Sequence, residues 1–276
     1  MRSSLSSRVI IAIILIATAV LTILPIVWLI VTAFLQSRAI VAPGIDISFA
    51  LQNFQSVFDP SADYGRQVLN SLLIVVLGTA LCVVVAALAG YSLSQLNWSS
   101  RGVLIVLAGL GLLQVVPPMT LVPGIFVLLN TLHLNNTLGA LILLDAVFNL
   151  PFAVIMAKFY FDSIPGELRE SAAIDGASDF GAFRRIMLPL AMPGISAITI
   201  FTAIQVWNEF LFGLVFTTGG TSAPLTVGIA TLIQPQQIQY GPMAAVGVVT
   251  AVPIIVLGIV ANRQIVAGLT RGAVKG

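Results

Sequence analysis

Charge is what this chain has least of. Asp, Glu, Lys and Arg make up only 8% of its 276 residues, where a soluble domain carries about 25%. So little charge cannot cover a water-facing surface, which excludes an ordinary soluble globule. Histidine and cysteine occur once each, as His133 and Cys82. A single thiol forms no internal disulfide, and this pair makes no zinc pattern. No Ser/His/Asp, metal-ligand or paired-acid cluster supports an enzyme. Lysine occurs only at Lys158, after Ala157, and at Lys275, after Val274. A P-loop needs Gly-Lys-Ser/Thr to cradle phosphates, so the chain binds no ATP by that route and no cofactor is expected on it. The basic residues form no run of five or six, and a net charge of +2 leaves no nucleic-acid footprint.

What is abundant is apolar sequence, with 58% hydrophobic residues and a mean hydropathy of +1.08. A membrane span needs ~20 such residues, in a helix that satisfies its own backbone polar groups. Six windows qualify: about 9–35, 68–96, 102–128, 138–160, 191–216 and 241–262. The first is uncharged from Val9 to Leu35, far longer than the ~7–15 residues of a signal-peptide core, and reads as a retained span. The third contains Pro117, Pro118 and Pro123. The 36–67 segment reads as a modest external loop. The polar 129–137 stretch reads as a tight turn that includes His133. Leu225–Ile233 is too short to cross and reads as a short external or re-entrant helix. With the N-terminus inside, the inner segments hold ten Lys and Arg, and the outer segments only Arg38 and Arg66. Basic residues favour the cytoplasmic side, so both termini are expected in the cytoplasm, at a bacterial inner membrane. The expected fold is all-α and polytopic. A single transmembrane domain over 1–276 would have about six spanning helices and a cytoplasmic helix-turn-helix loop at 161–190.

That loop carries the densest local signals. Ser163 and Pro165 mark a helix start, with Glu167 in the first turn where the dipole favours an anion. The expected helix is ~16 Å long. Gly176 is placed to end it in a left-handed conformation. Ser178 can cap a second helix that begins at Asp179. Phe180, Phe183 and Met187 then share one face at helical spacing. Pro189 and Pro193 close the loop and open the fifth span. Ala172, Ala173 and Ala177 keep the first helix narrow, as a plug for a partner's groove would be.

The spacing Glu-x-Ala-x3-Gly-x9-Ile-x-Leu-Pro, here Glu170, Ala172, Gly176, Ile186, Leu188 and Pro189, resembles the EAA loop of ABC importer permeases. Ser171 stands where that family usually has alanine. The resemblance implies that the loop docks into a cleft on an ATP-hydrolysing subunit. Glu170, Ser171, Ala172, Ala173, Asp175, Gly176, Ile186, Leu188 and Pro189 would form the docking element. Trp207-Asn208-Glu209-Phe210 is similar to a segment of carbohydrate importer permeases. The stretch from Ile265 to Gly276 is similar to the tail of the maltose-type second permease, and places Arg271, Gly272 and Lys275 against the ATPase subunits. Arg184 and Arg185 read equally as positive-inside anchors or as ATPase contacts. The implied assembly has a second permease, two ATP-binding subunits carrying ATP and Mg, and an extracytoplasmic sugar-binding protein. The implied cargo is a di- or oligosaccharide, with a polyol or glycerol phosphate as the alternative.

Asp145 and Glu209 lie at membrane depth, where a charge costs a few kcal/mol and normally faces a bundle interior or a water cavity. With Trp207, Asn208 and Phe210 they are the candidate pathway or gating residues. Glu209 is read as structural or gating rather than as a substrate contact. Trp207 and Phe210 are read as packing in preference to sugar stacking. An ion-coupled secondary transporter would predict paired intramembrane acids or inverted repeats, and neither pattern is present.

Overall fold

A computed structural model describes residues 5–35, 51–59, 63–217, 220–234 and 237–272. Most of the expected 36–67 loop, and Lys275 of the tail, fall outside them. Apart from one two-residue antiparallel ladder, β1 (Ile233–Gln234) with β2 (Gln237–Ile238), the regular structure among the described residues is helical. Among the described residues, five helices are long and apolar enough to cross a membrane, or six if one bent pair is counted as a span.

The first helix, α1 (Leu5–Ala33), carries Pro25 within it. It belongs to a compact unit formed by Met1–Gly65 and Gly228–Val252. Here Asn53, on the short helix α2 (Gln52–Phe58), donates from Nδ2 to the Ala33 and Leu35 carbonyls, both at 2.9 Å. These bonds satisfy carbonyls that a helix end leaves without partners.

The second unit comprises Arg66–Val227 and Pro253–Gly276. Its long helices are α3 (Tyr64–Gln95), α6 (Leu138–Asp162) and α9 (Leu188–Trp207). Its buried cluster is rich in small residues, including Ala86, Ala87, Ala153, Ala157 and Ala191. Small residues allow close backbone approach where lipid removes the hydrophobic drive between helices. Gly90 shows the consequence: a Cβ there would lie 2.6 Å from the Ala157 Cβ and 2.7 Å from the Lys158 nitrogen.

The expected third span, 102–128, is two helices, α4 (Ser100–Val115) and α5 (Pro118–Thr131), meeting at 94°. Val116 and Pro117 are extended, with ψ of 117° and 128°. Each precedes a proline, whose ring disfavours the helical region for the residue before it. The turn at 129–137 closes with His133 at φ 56°. The His133 N–H bonds the Asn130 carbonyl and the Leu134 N–H bonds the Leu129 carbonyl, a Schellman cap made without glycine.

The expected fifth span, 191–216, is also interrupted. α9 ends at Trp207, and a separate helix, α10 (Leu211–Thr217), follows. Downstream lie α11 (Leu225–Thr231), within the segment read as a short helix, and α12 (Tyr240–Gly272), which runs ten residues past the expected end of span six.

Candidate functional site

The loop between α6 and α9 is built around one glycine. α6 continues to Asp162, and Ser163 closes it by donating from Oγ to the Tyr160 carbonyl at 2.6 Å. Ser163 therefore ends a helix instead of starting one. The loop's first helix, α7 (Glu167–Ile174), begins after Gly166 and has eight residues. It is ~12 Å long, shorter than the expected ~16 Å. Its end is a Schellman motif: the Gly176 N–H bonds the Ala173 carbonyl at 3.1 Å and the Ala177 N–H bonds the Ala172 carbonyl at 2.9 Å. That pattern needs a left-handed residue after the cap, and Gly176 supplies it with φ +84°. Ser178 then caps α8 (Asp179–Ala182), its hydroxyl accepting from the Gly181 N–H at 3.2 Å.

No break separates this loop from the next span. Residues Phe183–Met187 form a π-turn that leads directly into α9. Pro189 is the cause: it has no N–H for the Arg185 carbonyl, and its ring presses on that group. The turn widens, and the Leu188 N–H reaches back to the Phe183 carbonyl. Phe183 and Met187 are buried, but Phe180 is 63% exposed. The expected three-residue face is therefore a two-residue face. Tyr91 of α3 packs between Phe161 and Phe183, with ring centroids 5.7 and 5.0 Å away.

The docking candidates divide by exposure. Glu170, Ser171, Ala173, Asp175 and Gly176 face outward, while Ala172 is buried. Ile174, which the motif did not single out, is 87% exposed. Pro189 is exposed, whereas Ile186 and Leu188 pack half-buried against the helix cluster. The last two hold the loop to the spans and are not on its outer face. Arg184 and Arg185 are both exposed. Arg169 donates to Asp179 Oδ1 from Nε at 3.1 Å and from Nη2 at 2.8 Å. That hydrogen bond raises the guanidinium above its already high ordinary value.

At the α9–α10 break, Glu209 accepts from the Phe212 N–H on Oε1 at 2.7 Å and from the Gly213 N–H on Oε2 at 3.1 Å. A carboxylate at a helix start satisfies orphan donors and meets the positive end of the dipole. The backbone carbonyl of Glu209 accepts from Thr226 Oγ1 at 2.8 Å. Asn208 turns back to the Ile204 carbonyl, 2.7 Å from its Nδ2. Together these bonds explain why the span stops at Trp207. Asp145 is 2% exposed. It shares a void of about 10 Å³ with Ser71, Trp207 and Glu209, a volume on the scale of one water. Trp207 is buried at 3% exposure and Phe210 is 40% exposed. The structure thus brings together Asp145 and Glu209, two acids that the sequence left isolated from each other, with Trp207 around one small void, while Asn208 and Phe210 lie in the adjoining break. Of the tail candidates, Arg271 and Gly272 end α12.

The sequence reading missed Tyr91, Arg169 and Ile174. Tyr91 gave no signal, because it lies in an apolar run 88 residues from its bonding partner. Arg169 could have been found as the one basic residue between two acid-bearing helix starts.

Comparison with known proteins places this geometry in a family. A model described as "Binding-protein-dependent transport system inner membrane component" matches residues 82–267. The trehalose/maltose transport system permease protein MalG of Thermococcus litoralis is 31% identical over the whole of both chains. The diacetylchitobiose uptake system permease protein NgcG of Streptomyces coelicolor is 31% identical over 95% of this chain and 87% of its own. A solved bacterial ABC transporter involved in the import of the acidic polysaccharide alginate has a chain that aligns with a TM-score of 0.80, 19% identity, and coverage of 95% and 99%; at that identity the likeness is one of fold. The chain belongs to the binding-protein-dependent transport system inner membrane components, and is a multi-pass ABC transporter permease subunit.

Proposed function

We propose that this permease imports a carbohydrate, of di- or oligosaccharide size, using ATP hydrolysed on a separate subunit docked at the Glu167–Met187 loop. The observation that carries this reading is the outward face of α7, with Glu170, Ala173 and Ile174 exposed, and Asp175 at its cap, on a helix whose end is fixed by the Gly176 turn. A short, anchored, partly apolar helix is suited to a groove on another protein, and too polar to rest in lipid. The family assignment supports a partner that delivers substrate, and relatives named for trehalose/maltose and diacetylchitobiose support a sugar cargo. The full assembly in this reading has a second permease, two ATPase subunits that hold ATP and Mg, and an extracytoplasmic binding protein. Both termini and the loop face the cytoplasm in this reading, which the ten-to-two basic bias supports. The tail residues Arg271, Gly272 and Lys275 contact the ATPases.

Within the membrane, the α9–α10 break serves as the point where the outer part of the fifth span can move. Glu209 stabilises one arrangement of the break by capping α10. Asp145 and Trp207 support it from the void, and Asn208 and Phe210 complete the joint. The family assignment leaves no footing for the ion-gradient alternative.

The test is uptake by proteoliposomes containing the complete complex. Labelled oligosaccharide should accumulate only with internal ATP and external binding protein, and Glu170→Lys should abolish both uptake and sugar-stimulated hydrolysis. Uptake driven by an ion gradient without ATP would refute the proposal.

A further inference from the structure

The loop is tied to the membrane helices by a short chain of side-chain contacts that no motif includes. Arg169, in the first turn of α7, crosses the Gly176 turn and holds Asp179 at the start of α8. The two residues are ten apart in sequence, so their bond closes the open side of the helix-turn-helix. The Arg169 side chain is 20% exposed, against 58% for Asp179. The guanidinium is thus largely covered, and its fork is fixed on one carboxylate oxygen. The backbone carbonyl of Asp179 accepts from the Tyr91 hydroxyl at 3.2 Å. Tyr91 is 4% exposed on α3, and its ring is gripped by Phe161 and Phe183.

The support behind Tyr91 is stiff. One turn further along α3, Gln95 donates from Nε2 to the Phe161 carbonyl at 2.8 Å, joining the end of α3 to that of α6. One residue before Tyr91, Gly90 brings α3 against the α6 backbone at Ala157 and Lys158. The α3–α6 pair therefore has little room to yield beneath the loop.

We propose that Arg169, Asp179 and Tyr91 form a strut that makes α7 move as one body with α3 and α6. Displacement of the docked loop is then transmitted to the spans instead of being lost in flexing at the Gly176 turn. Arg169 and Tyr91 are positioning residues and face away from the docking surface. The proposal rests on the reading of the loop as the ATPase-docking element.

The test uses the reconstituted complex with its binding protein, and measures sugar molecules transported per ATP hydrolysed. Retention of the ATPase subunits on the purified permease is scored separately. Tyr91→Phe keeps the ring packing and removes only the hydroxyl. Arg169→Ala removes the fork. Both variants should retain the ATPase and its sugar-stimulated hydrolysis. Sugar transported per ATP should fall about fivefold, the low end of ordinary coupling between sites. The exchange Arg169→Asp with Asp179→Arg should recover part of the ratio, because the Tyr91 bond to the backbone of residue 179 survives it while the contact of Tyr91 with the Arg169 side chain is lost. A wild-type ratio in both single variants, with the ATPase retained, would overturn the strut while leaving loop docking intact. Failure of the wild-type loop to retain the ATPase would instead remove the reading beneath it.

Discussion

Replacing Gly176 with valine isolates the role of backbone conformation in the loop. The residue sits at φ +84°, and a Cβ built there meets nothing within 4 Å. A β-carbon thus meets no steric obstacle from the chain, and its cost is conformational. For an L-residue the left-handed region costs about 1–2 kcal/mol, and a β-branched side chain lies at the upper end. A difference of this size changes an equilibrium by roughly 5–30-fold. The equilibrium between the Schellman turn and its alternatives would shift against the turn by that factor, and α7 would point elsewhere for a correspondingly larger share of the time. Asparagine enters the left-handed region with less strain, so Gly176→Asn should retain a large part of the activity although its side chain is larger than alanine's. The assay is ATP hydrolysis stimulated by sugar-loaded binding protein in proteoliposomes. The expected order is wild type, Gly176→Asn, Gly176→Ala, Gly176→Val. If asparagine proved as damaging as valine, the glycine would be needed for contact with the partner, and the strain argument would be refuted.

Glu209→Ala removes two bonds to the first turn of α10 and should cost about 1–2 kcal/mol, as loss of a helix cap does; Glu209→Gln, which keeps an acceptor, should cost less, with thermal unfolding of the purified complex as the measure. An identical midpoint for Glu209→Ala and wild type would remove the capping role. Gly90→Ala forces α3 off α6 and should lower the midpoint through overpacking, worth about 1–3 kcal/mol. Gly111→Ala, with nothing within 4 Å, should leave it unchanged, so equal effects would contradict the close packing. Cysteines at Ser178 and Gly272 should resist an impermeant thiol reagent in intact cells, and one at the exposed Thr221 should react; the native Cys82 is 1% exposed and gives little background. Labelling at position 178 from outside would invert the topology.

Hydropathy made the spans legible because lipid imposes a long apolar helix almost regardless of detail. It was blind to the two breaks for different reasons. Pro117 and Pro118 were visible, but a proline pair specifies a bend without its angle. The break at 208–210 is set by Glu209 bonding forward and Asn208 bonding back, local choices hidden inside an aromatic, apolar run. In the loop, Gly176 and Ser178 were readable because a left-handed turn and an N-cap are local requirements. Phe180 was misjudged because it lies in the first turn of α8, and periodicity does not say where along a helix the face that meets its neighbours begins. Exposure of Ile174 and burial of Ile186 and Leu188 depend on which face meets α3 and α6, and no single segment encodes that. The void at Asp145 joins residues from four parts of the chain and is likewise a property of packing.

The claim at the centre of this account is that the outward face of α7 meets the ATPase subunit. A photo-crosslinking residue at Ile174, 87% exposed at the end of that helix, tests it in the assembled complex, with the same group at Ile14 of α1, 58% exposed, as the control. The account predicts a covalent adduct between permease and ATPase from position 174, altered in yield by ATP and by loaded binding protein, and none from position 14. Illumination that joined position 174 to lipid or to the extracytoplasmic binding protein, with no ATPase adduct, would contradict it.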